Sequence, residues 1–322
     1  MEMPFVSFII SYYDVPADML VKCIRSITAL SLLPAEREII VVDDGSPQSP
    51  LPALDSLTND ITYIRQQNQG LSQARNTGMQ MAKAQYIQFV DADDYLIPAA
   101  YEHCLRLARN EHTDVVMFDF TTNDDETGEN RQFSTSRPTS GTHYLSHHNL
   151  HATAWGYLFR RSLLGELRFT PGIYHEDEEF TPQLLLRADT VCTTDAQAYF
   201  YRQRPHSITS ETNLRKVVKR LNDKQFVIEH LNRMTDTMPV AERNAMQRRV
   251  AQLTMDYIYN IITQTRSRHF LERKLGVLRR KGLYPLPDRD YTSKYTWFRR
   301  LANNGAGLTL LMRTLPLMHK ER

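Results

Sequence analysis

The sequence predicts an α/β fold in which a mainly parallel, doubly wound sheet is followed by a helical C-terminal extension. Apolar runs of strand length at residues 5–10, 39–42 and 86–90 are separated by segments of helical periodicity, an alternation typical of β-α-β units. From residue 211 onwards the periodicity is helical alone. Two of the apolar runs end in aspartates, and ligands of such sheets bind beyond the carboxyl ends of the strands. The sequence therefore indicates where a functional site lies.

The individual elements follow from local patterns. After the first strand, apolar residues recur at helical spacing between Met19 and Ile27, which predicts the first helix. Residues 121–150 are rich in Thr, Asn, Asp, Ser and His with little periodicity, which predicts a long loop or a hairpin. The remaining predicted strands cover 61–64, 115–120 and 198–201, and the remaining predicted helices cover 70–84, 98–110, 212–234, 240–264 and 266–281.

Composition excludes several classes of protein. Of the 322 residues, 41% are hydrophobic and 24% are charged, as in a globular protein and unlike a disordered or fibrous chain. The three cysteines are far apart, which excludes a disulfide framework and a zinc site of the usual spacing. The chain has neither a basic segment ahead of residues 5–10 nor an apolar stretch of about 20 residues. We therefore expect a cytoplasmic protein that is neither secreted nor membrane-spanning.

The two parts of the chain carry opposite net charge. Residues 1–210 hold 16 Lys and Arg against 27 Asp and Glu, whereas residues 211–322 hold 23 against 10. An acidic part can gather carboxylates around a metal ion. A basic part attracts phosphate groups, either of nucleic acid or of a membrane surface.

The segment Asp91-Ala92-Asp93-Asp94 brings three carboxylates to the end of an apolar strand. Unpaired charge is costly to bury, so a divalent cation is a natural partner, and such an ion completes its shell with substrate phosphate oxygens. A second interpretation needs no ligand: Asp91 ends the strand, and Asp93 or Asp94 caps the next helix.

Two further segments carry polar groups to the same edge of the predicted sheet. In Asp43-Asp44-Gly45-Ser46 a carboxylate can accept a hydrogen bond from a pyrimidine or a ribose, or it can close a turn at Gly45. Downstream, the helix that follows Gly70 places Arg75 near the strand ends, where it supports a site or forms a structural ion pair with an acidic strand end. Gly78 allows that helix to approach the sheet closely.

Together these segments resemble the large inverting family of nucleotide-sugar glycosyltransferases, family 2, which includes the chitin, cellulose and hyaluronan synthases. The resemblance is nearest to the soluble bacterial members that build polysaccharides, covers about residues 4–210, and implies a GT-A (Rossmann-like) sheet. The segments that carry it are Ser11-Tyr12-Tyr13, Val42–Ser46, Asn68–Gly78, Phe89–Asp94, Trp155, Leu158–Arg161, His175–Phe180 and Tyr201–Thr209.

The resemblance implies a role for each residue on the donor side. Asp44 accepts a hydrogen bond from the uracil of a UDP-sugar, and the region of Ser11 lies along the same nucleotide. Asp91 lies nearer to the ribose, while Asp93 binds Mg²⁺ or Mn²⁺, which bridges the diphosphate; Asp91 is the second candidate ligand of that ion. The other donor-binding candidates are Asp43, Arg75, Arg202 and Arg204.

The resemblance also implies the catalytic pair, Glu176 and Asp177. Asp177 is the general base that takes a proton from the acceptor hydroxyl as it attacks the anomeric carbon, with inversion. Displacement at an anomeric centre needs a base on one face and charge stabilisation of the departing UDP on the other. The residues alone leave another interpretation open, in which Glu176–Glu179 form the solvated first turn of a helix, favoured by the helix dipole.

We expect two regions with different tasks. Residues 1–210 form the catalytic domain, with nucleotide-sugar binding in about 1–120 and the acceptor side in about 121–210, and residues 211–322 form a basic helical region. The implied partners are a UDP-sugar and a saccharide or lipid-linked saccharide acceptor in surface polysaccharide biosynthesis. Nucleic acid is not expected. An apolar stripe in the basic region either contacts the inner face of an anionic membrane or packs on the catalytic domain: Leu308, Leu311, Met312 and Leu315.

Other functional classes remain open at this stage. An aspartate after an apolar strand also fits a metal-dependent phosphatase with Asp91 as nucleophile, although the Gly-Asp dipeptide that such enzymes need is absent from the sequence. The basic region alone would fit a non-enzymatic polyanion-binding protein. His147 and His151 could share a helix face as metal ligands, and Trp155 is either core or a platform for an acceptor sugar, with core favoured.

Overall fold

The structure is a computed structural model, and it describes residues 3–110, 112–123, 132–203 and 213–318. The chain divides into two compact units. The first comprises Met1–Gly141 and Ala152–Ser207, and the second comprises Thr142–His151 and Ile208–Arg322.

The first unit is built on a mixed sheet. Its strands are β1 (Val6–Tyr12), β2 (Arg37–Asp43), β3 (Ile61–Arg65), β4 (Tyr86–Asp91), β5 (Tyr95–Leu96), β6 (Val115–Thr121), β7 (Tyr157–Arg160) and β8 (Val191–Phe200). Over the described residues they form one sheet in the order β3-β2-β1-β4-β7-β6-β8-β5. The first four strands in this order are mutually parallel, β6 is parallel to β8, and β7 and β5 pair antiparallel with their neighbours.

The helices cover the sheet and build the second unit. In chain order they are α1 (Ala17–Thr28), α2 (Leu71–Met81), α3 (Pro98–Asn110), α4 (Gly141–His147), α5 (Glu176–Leu185), α6 (Leu214–Met234), α7 (Val240–Thr265), α8 (Arg268–Arg280), α9 (Ser293–Ala302) and α10 (Gly305–Met318). None of the helices in the described ranges is long and apolar enough to span a membrane. The predicted α/β fold with a helical C-terminal part is confirmed.

Strand register brings the acidic strand ends together. β1 lies between β2 and β4, and Ser11 pairs with Asp91 on one side while Tyr12 pairs with Asp43 on the other. Three of these parallel strands, β1, β2 and β4, are mainly apolar and almost fully buried along their length, as expected of a sheet with helices on both faces, whereas β3 at the edge is partly exposed. Their polar ends therefore meet at one edge of the sheet.

The second unit has its own helical core. α6 packs on α7, and α7 also contacts α8, α9 and α10. Leu271, Leu275 and Leu278 form the buried face of α8. On α7, the buried Arg248 donates hydrogen bonds to the carbonyls of Leu145 and His148, which ties the segment after α4 into this unit.

The structure corrects several of the predicted elements. The segment 121–150 was expected to be a loop or hairpin, but it contains α4, and His147 is the last residue of that helix. His147 and His151 therefore do not share a helix face; the His147 ring stacks on His143 at 4.1 Å instead. β5 separates Asp94 from α3, which begins at Pro98, so neither Asp93 nor Asp94 caps that helix.

Gly78 permits the close packing of α2 on the sheet that its position predicts. A Cβ atom built at Gly78 would overlap Cγ2 of the buried Ile9 on β1. We expect Gly78→Ala to destabilise the protein by about 1–3 kcal/mol, the usual range for overpacking a core. Thermal unfolding measures the effect.

Gly276→Ala is the matched control for this change. Gly276 also lies within a helix, but its nearest neighbour to an added Cβ is the flexible Arg280 guanidinium at 3.8 Å. There the alanine should leave stability unchanged or raise it by up to about 1 kcal/mol. Equal effects of the two substitutions would contradict the packing argument.

Candidate active site

The candidate site lies at the carboxyl ends of β1, β2 and β4, next to the start of α5 and the end of β8. The predicted residues in the described ranges that converge there are Ser11, Asp43, Asp44, Arg75, Asp91, Asp93, Glu176, Asp177 and Arg202. All of them belong to the first unit. Arg204 lies outside the described residues, as does the predicted segment that follows it.

Arg75 connects two parts of this site. Its Nη2 donates to Oδ1 of Asp91 at 3.0 Å, and its Nη1 donates to Oε1 of Glu176 at 2.8 Å. The side chain is 4% exposed, and its guanidinium lies 5.4 Å from the centre of the Phe169 ring. Burial lowers the pKa of Arg75, but the charges of Asp91, Glu176 and Asp177 raise it by more, so the guanidinium stays charged. The predicted structural ion pair is therefore present, and it lies inside the site.

The α5 helix begins at the catalytic pair that the sequence predicts. His175 precedes it with a left-handed backbone (φ 65°), and all four residues of the first helical turn are acidic. Asp177 is partly buried, and its Oδ1 accepts a hydrogen bond from the backbone N–H of Glu178. Burial, with the nearby charges of Glu176 and Glu178, raises the pKa of Asp177 well above that of an ordinary aspartate. The two carboxyl groups of the pair therefore differ. Glu176 is ion-paired with Arg75, whereas the pKa of Asp177 is raised.

Asp44 and Asp43 have different surroundings although they are neighbours. The Asp44 carboxylate accepts three hydrogen bonds, from the Gln66 side chain and from the backbone N–H groups of Gln69 and Gly70, at 2.7–2.9 Å. Asp44 thereby shapes the loop that leads into α2. Asp43 is fully buried and closes the turn by accepting from the backbone N–H of Ser46 at 2.8 Å. Of the two interpretations of this segment, the one in which a carboxylate closes the turn therefore applies to Asp43.

The turn after β4 depends on Asp94. Its carboxylate accepts from the Tyr199 hydroxyl at 2.9 Å and from the backbone N–H of Arg202 at 2.7 Å. Burial, with the charges of Asp91 and Asp93, raises the pKa of Asp94 to about 8. Tyr199 in turn accepts from the backbone N–H of Asp91. Asp94 therefore joins the turn to the end of β8, and its carboxylate oxygens are used in these hydrogen bonds.

Arg202 and Asp93 are held at the same turn. The Arg202 Nε donates to the backbone carbonyl of Asp93 at 2.9 Å, and its guanidinium lies 5.4 Å from the centre of the Phe200 ring. The Arg202 side chain is partly exposed. A cationic side chain is thus fixed beside the Asp-x-Asp segment.

Ser11 carries a buried polar atom with an open hydrogen-bonding position. Its Oγ is enclosed and has no hydrogen-bond partner within the described part of the chain. Buried hydroxyls are normally paired, and an unpaired one calls for an explanation such as a missing ligand. Since Ser11 lies between Val42 and Asp91 at the strand ends, a ligand bound at this edge would reach it.

The carboxylates of the turn fit a divalent cation that is held by few protein ligands. The side chain of Asp91 is 27% exposed and is engaged by Arg75, and Asp93 lies partly buried at the same turn. Across the described ranges, no three His, Cys, Asp or Glu side chains are grouped closely enough to hold a metal ion by themselves. A hard cation at Asp93 would therefore need oxygen ligands from a bound substrate or from water.

Some important residues were not predicted from the sequence as parts of the site. Tyr199 and Asp94 link β8 to the Asp-x-Asp turn. The sequence does not indicate this contact, because Tyr199 is one residue of a strand and Asp94 is the third aspartate of a cluster. Trp155 is 7% exposed and stacks on Tyr199 with ring centres 4.3 Å apart. It is therefore part of the core, as the sequence favoured.

Comparisons with known proteins agree with this geometry. Residues 7–168, half of the chain, match the family model described as glycosyl transferase family 2. The uncharacterized glycosyltransferase EpsJ of Bacillus subtilis (strain 168) is 35% identical over 222 residues, which cover 64% of this chain and 63% of EpsJ. The chain thus aligns with less than two thirds of that relative's length.

Two solved structures share the fold at low sequence identity. S. aureus TarS 1-349 is 17% identical with a TM-score of 0.64, and the alignment covers 98% of this chain and 91% of TarS. The same protein is also known in complex with UDP-GlcNAc. The mannosyltransferase PcManGT from Pyrobaculum calidifontis, in complex with GDP-Man and Mn2+, is 13% identical with a TM-score of 0.58, covering 99% of this chain and 88% of that one.

The family match favours sugar transfer over the phosphatase and polyanion-binding alternatives. The geometry agrees, because Asp91, the nucleophile that a phosphatase would need, is held in an ion pair with Arg75. With the matched region covering the strand ends that form the site, the resemblance inferred from the motifs is confirmed: the chain belongs to glycosyl transferase family 2.

Proposed function

We propose that this protein is a divalent-cation-dependent, inverting glycosyltransferase that moves a sugar from a UDP-sugar to a saccharide or lipid-linked saccharide acceptor in surface polysaccharide biosynthesis. The observation that carries the proposal is the buried ion-pair network of Arg75. It joins Asp91, at the end of a donor-side strand, to Glu176, next to the candidate base Asp177. Donor-binding and base-bearing elements are thereby held in one rigid arrangement.

The donor side offers groups suited to a nucleoside diphosphate. Ser11 presents an enclosed hydroxyl with an open hydrogen-bonding position, and Asp44 holds the loop before α2 through three hydrogen bonds. Asp93 lies at the turn with Arg202 fixed beside it. A divalent ion bound at Asp93 supplies positive charge that stabilises the diphosphate leaving group. Arg202 adds a second positive charge to the same region.

The acceptor side offers the base. A carboxylate acts best as a general base when its pKa is near the working pH, and the raised pKa of Asp177 meets that condition. The neighbouring Glu176 is instead ion-paired with Arg75 at 2.8 Å. Asp177 therefore removes the proton from the acceptor hydroxyl, and Glu176 positions the start of α5.

Binding of UDP tests the donor side. We expect calorimetric titration with UDP to show tighter binding in Mn²⁺ or Mg²⁺ than in a chelator, because the ion screens the diphosphate charge beside the carboxylates. Asp93→Ala should abolish that difference. Ser11→Ala is the matched control: it should weaken UDP binding to the same extent with and without the ion.

Two results would overturn the donor assignment. One is a UDP affinity that does not respond to divalent ions in the unmodified protein. The other is an Asp93→Ala variant that keeps the full metal response. Tighter binding of GDP than of UDP would leave the position of the donor site unchanged and would identify guanosine, rather than uridine, as the donor nucleoside.

Substitution of the two acidic residues tests the base. Asp177→Asn should retain UDP binding and lose transfer by about 10²–10⁴-fold, the usual contribution of a positioned general base. Glu176→Gln keeps an oxygen that Arg75 can bind, so its loss should be smaller. A dead Glu176→Gln beside an active Asp177→Asn would assign the base to Glu176 instead.

The pH dependence of transfer gives a second check on Asp177. The base acts only when it is deprotonated, and its pKa is raised. We therefore expect kcat/KM to increase with pH through an acidic limb that lies well above pH 4, where an ordinary aspartate ionises. The residual rate of Asp177→Asn should lack this limb. A rate that is constant from pH 5 to 8 would contradict the assignment.

A further inference from the structure

The exposed face of α9 combines basic and aromatic side chains. Lys294, Trp297 and Arg300 are all exposed and are spaced three residues apart, which places them on one side of the helix. Trp297 is 63% exposed, an unusual state for the largest apolar side chain, and the Arg300 guanidinium lies 5.9 Å from the centre of its ring.

The next helix, α10, is apolar on two sides. The stripe that the sequence singled out turns inward: Leu311 is 5% exposed, and α10 packs on α7 and α9. That stripe is therefore used for packing within the second unit. On another side, Leu310 and Leu317 are 50% and 68% exposed and lie seven residues apart, with the exposed Arg313 between them. A helix that is apolar nearly all round requires a second apolar environment.

The charged side chains of α9 and α10 themselves have a single sign, although Asp256 of α7 and Asp288 lie beside them. Residues 293–318 contain four Lys or Arg residues and no Asp or Glu. Arg299 is neutralised by Asp288 at 2.6 Å. The three that remain, Lys294, Arg300 and Arg313, are exposed. An acidic surface is therefore complementary to this one.

A groove joins the two helices. Its volume is about 540 Å³, and it lies against α6 and α7 as well: Trp297, Leu301, Leu311 and Leu315 line it together with Lys224 of α6 and with Met255, Asp256, Tyr259 and Asn260 of α7. The aromatic residue of the basic face thus borders an apolar surface. We call the exposed faces of these two adjacent helices the α9–α10 surface.

We propose that the α9–α10 surface docks on an anionic lipid bilayer, an interaction that goes beyond the proposed sugar transfer. Tryptophan and basic side chains prefer the headgroup level of a bilayer, and exposed leucines reach the acyl boundary. A self-interface with two-fold symmetry would instead bring the same cations face to face. Anionic headgroups neutralise Lys294, Arg300 and Arg313, while the acyl boundary covers Leu310 and Leu317.

Vesicle binding of the full-length protein tests this proposal. We expect co-sedimentation with vesicles of phosphatidylcholine and phosphatidylglycerol at low salt, and little with phosphatidylcholine alone or at high salt. Each cation contributes roughly a fivefold gain in partitioning, so loss of the three positive charges alone weakens binding about 100-fold, and the charge-reversed triple variant Lys294→Glu, Arg300→Glu, Arg313→Glu should bind at least that much more weakly. The matched control, with the same change in net charge, reverses exposed residues of the first unit: Lys83→Glu, Arg106→Glu and Arg137→Glu.

Fluorescence locates the contact directly. The chain has two tryptophans, and Trp155 is already buried in the first unit. On binding to anionic vesicles, the emission should shift to shorter wavelength through Trp297 alone. Trp297→Phe should therefore remove the shift while most of the sedimentation remains.

Three outcomes would overturn the proposal. The first is equal loss of binding in the two charge-reversed variants, with both folded by circular dichroism. The second is sedimentation without any change in Trp297 emission. The third is a stable dimer in light scattering that Leu310→Ser with Leu317→Ser dissociates, because a second copy would then cover the surface.

Discussion

A buried positive charge organises this site. The guanidinium of Arg75 is almost completely removed from water, and a charge in that position is tolerated only when it is paired. Its partners, Asp91 and Glu176, come from elements far apart in the chain: the ion pair with Glu176 spans 101 residues. Removal of Arg75 would leave both carboxylates without their counter-charge, at a typical cost of about 3–5 kcal/mol. Donor-side and base-side elements consequently hold each other in place.

The sheet provides the frame in which this pairing occurs. Because β1 lies between β2 and β4, the register that pairs Ser11 with Asp91 also aligns Tyr12 with Asp43. The polar ends therefore converge only if the apolar strands keep that register. A slip of β1 by one residue would separate Ser11 from Asp91 and Tyr12 from Asp43. The same apolar residues that form the core thus position the polar groups of the site.

Strand-end motifs and periodicity predicted most of the architecture, because both are local signals. The Asp-x-Asp turn, Arg75 on its helix and the acidic start of α5 were all recognisable from short segments. The features that the sequence did not predict depend on contacts between residues that are far apart in the chain. Asp94 looks like its neighbours in the sequence, and only its burial against Tyr199 separates its role from theirs. Likewise, the stripe through Leu311 has the same period whether it faces a membrane or α7.

The buried Asp94 also makes stability depend on pH in an unusual direction. A carboxyl group whose pKa is raised to about 8 in the folded protein binds its proton more tightly there than in the unfolded chain, where the value is near 3.9. Its contribution to stability is therefore greatest below about pH 4 and declines as the pH rises towards 8. Most paired carboxylates behave in the opposite way. The hydrogen bonds from Tyr199 and Arg202 thus hold a turn in which three carboxyl groups lie close together.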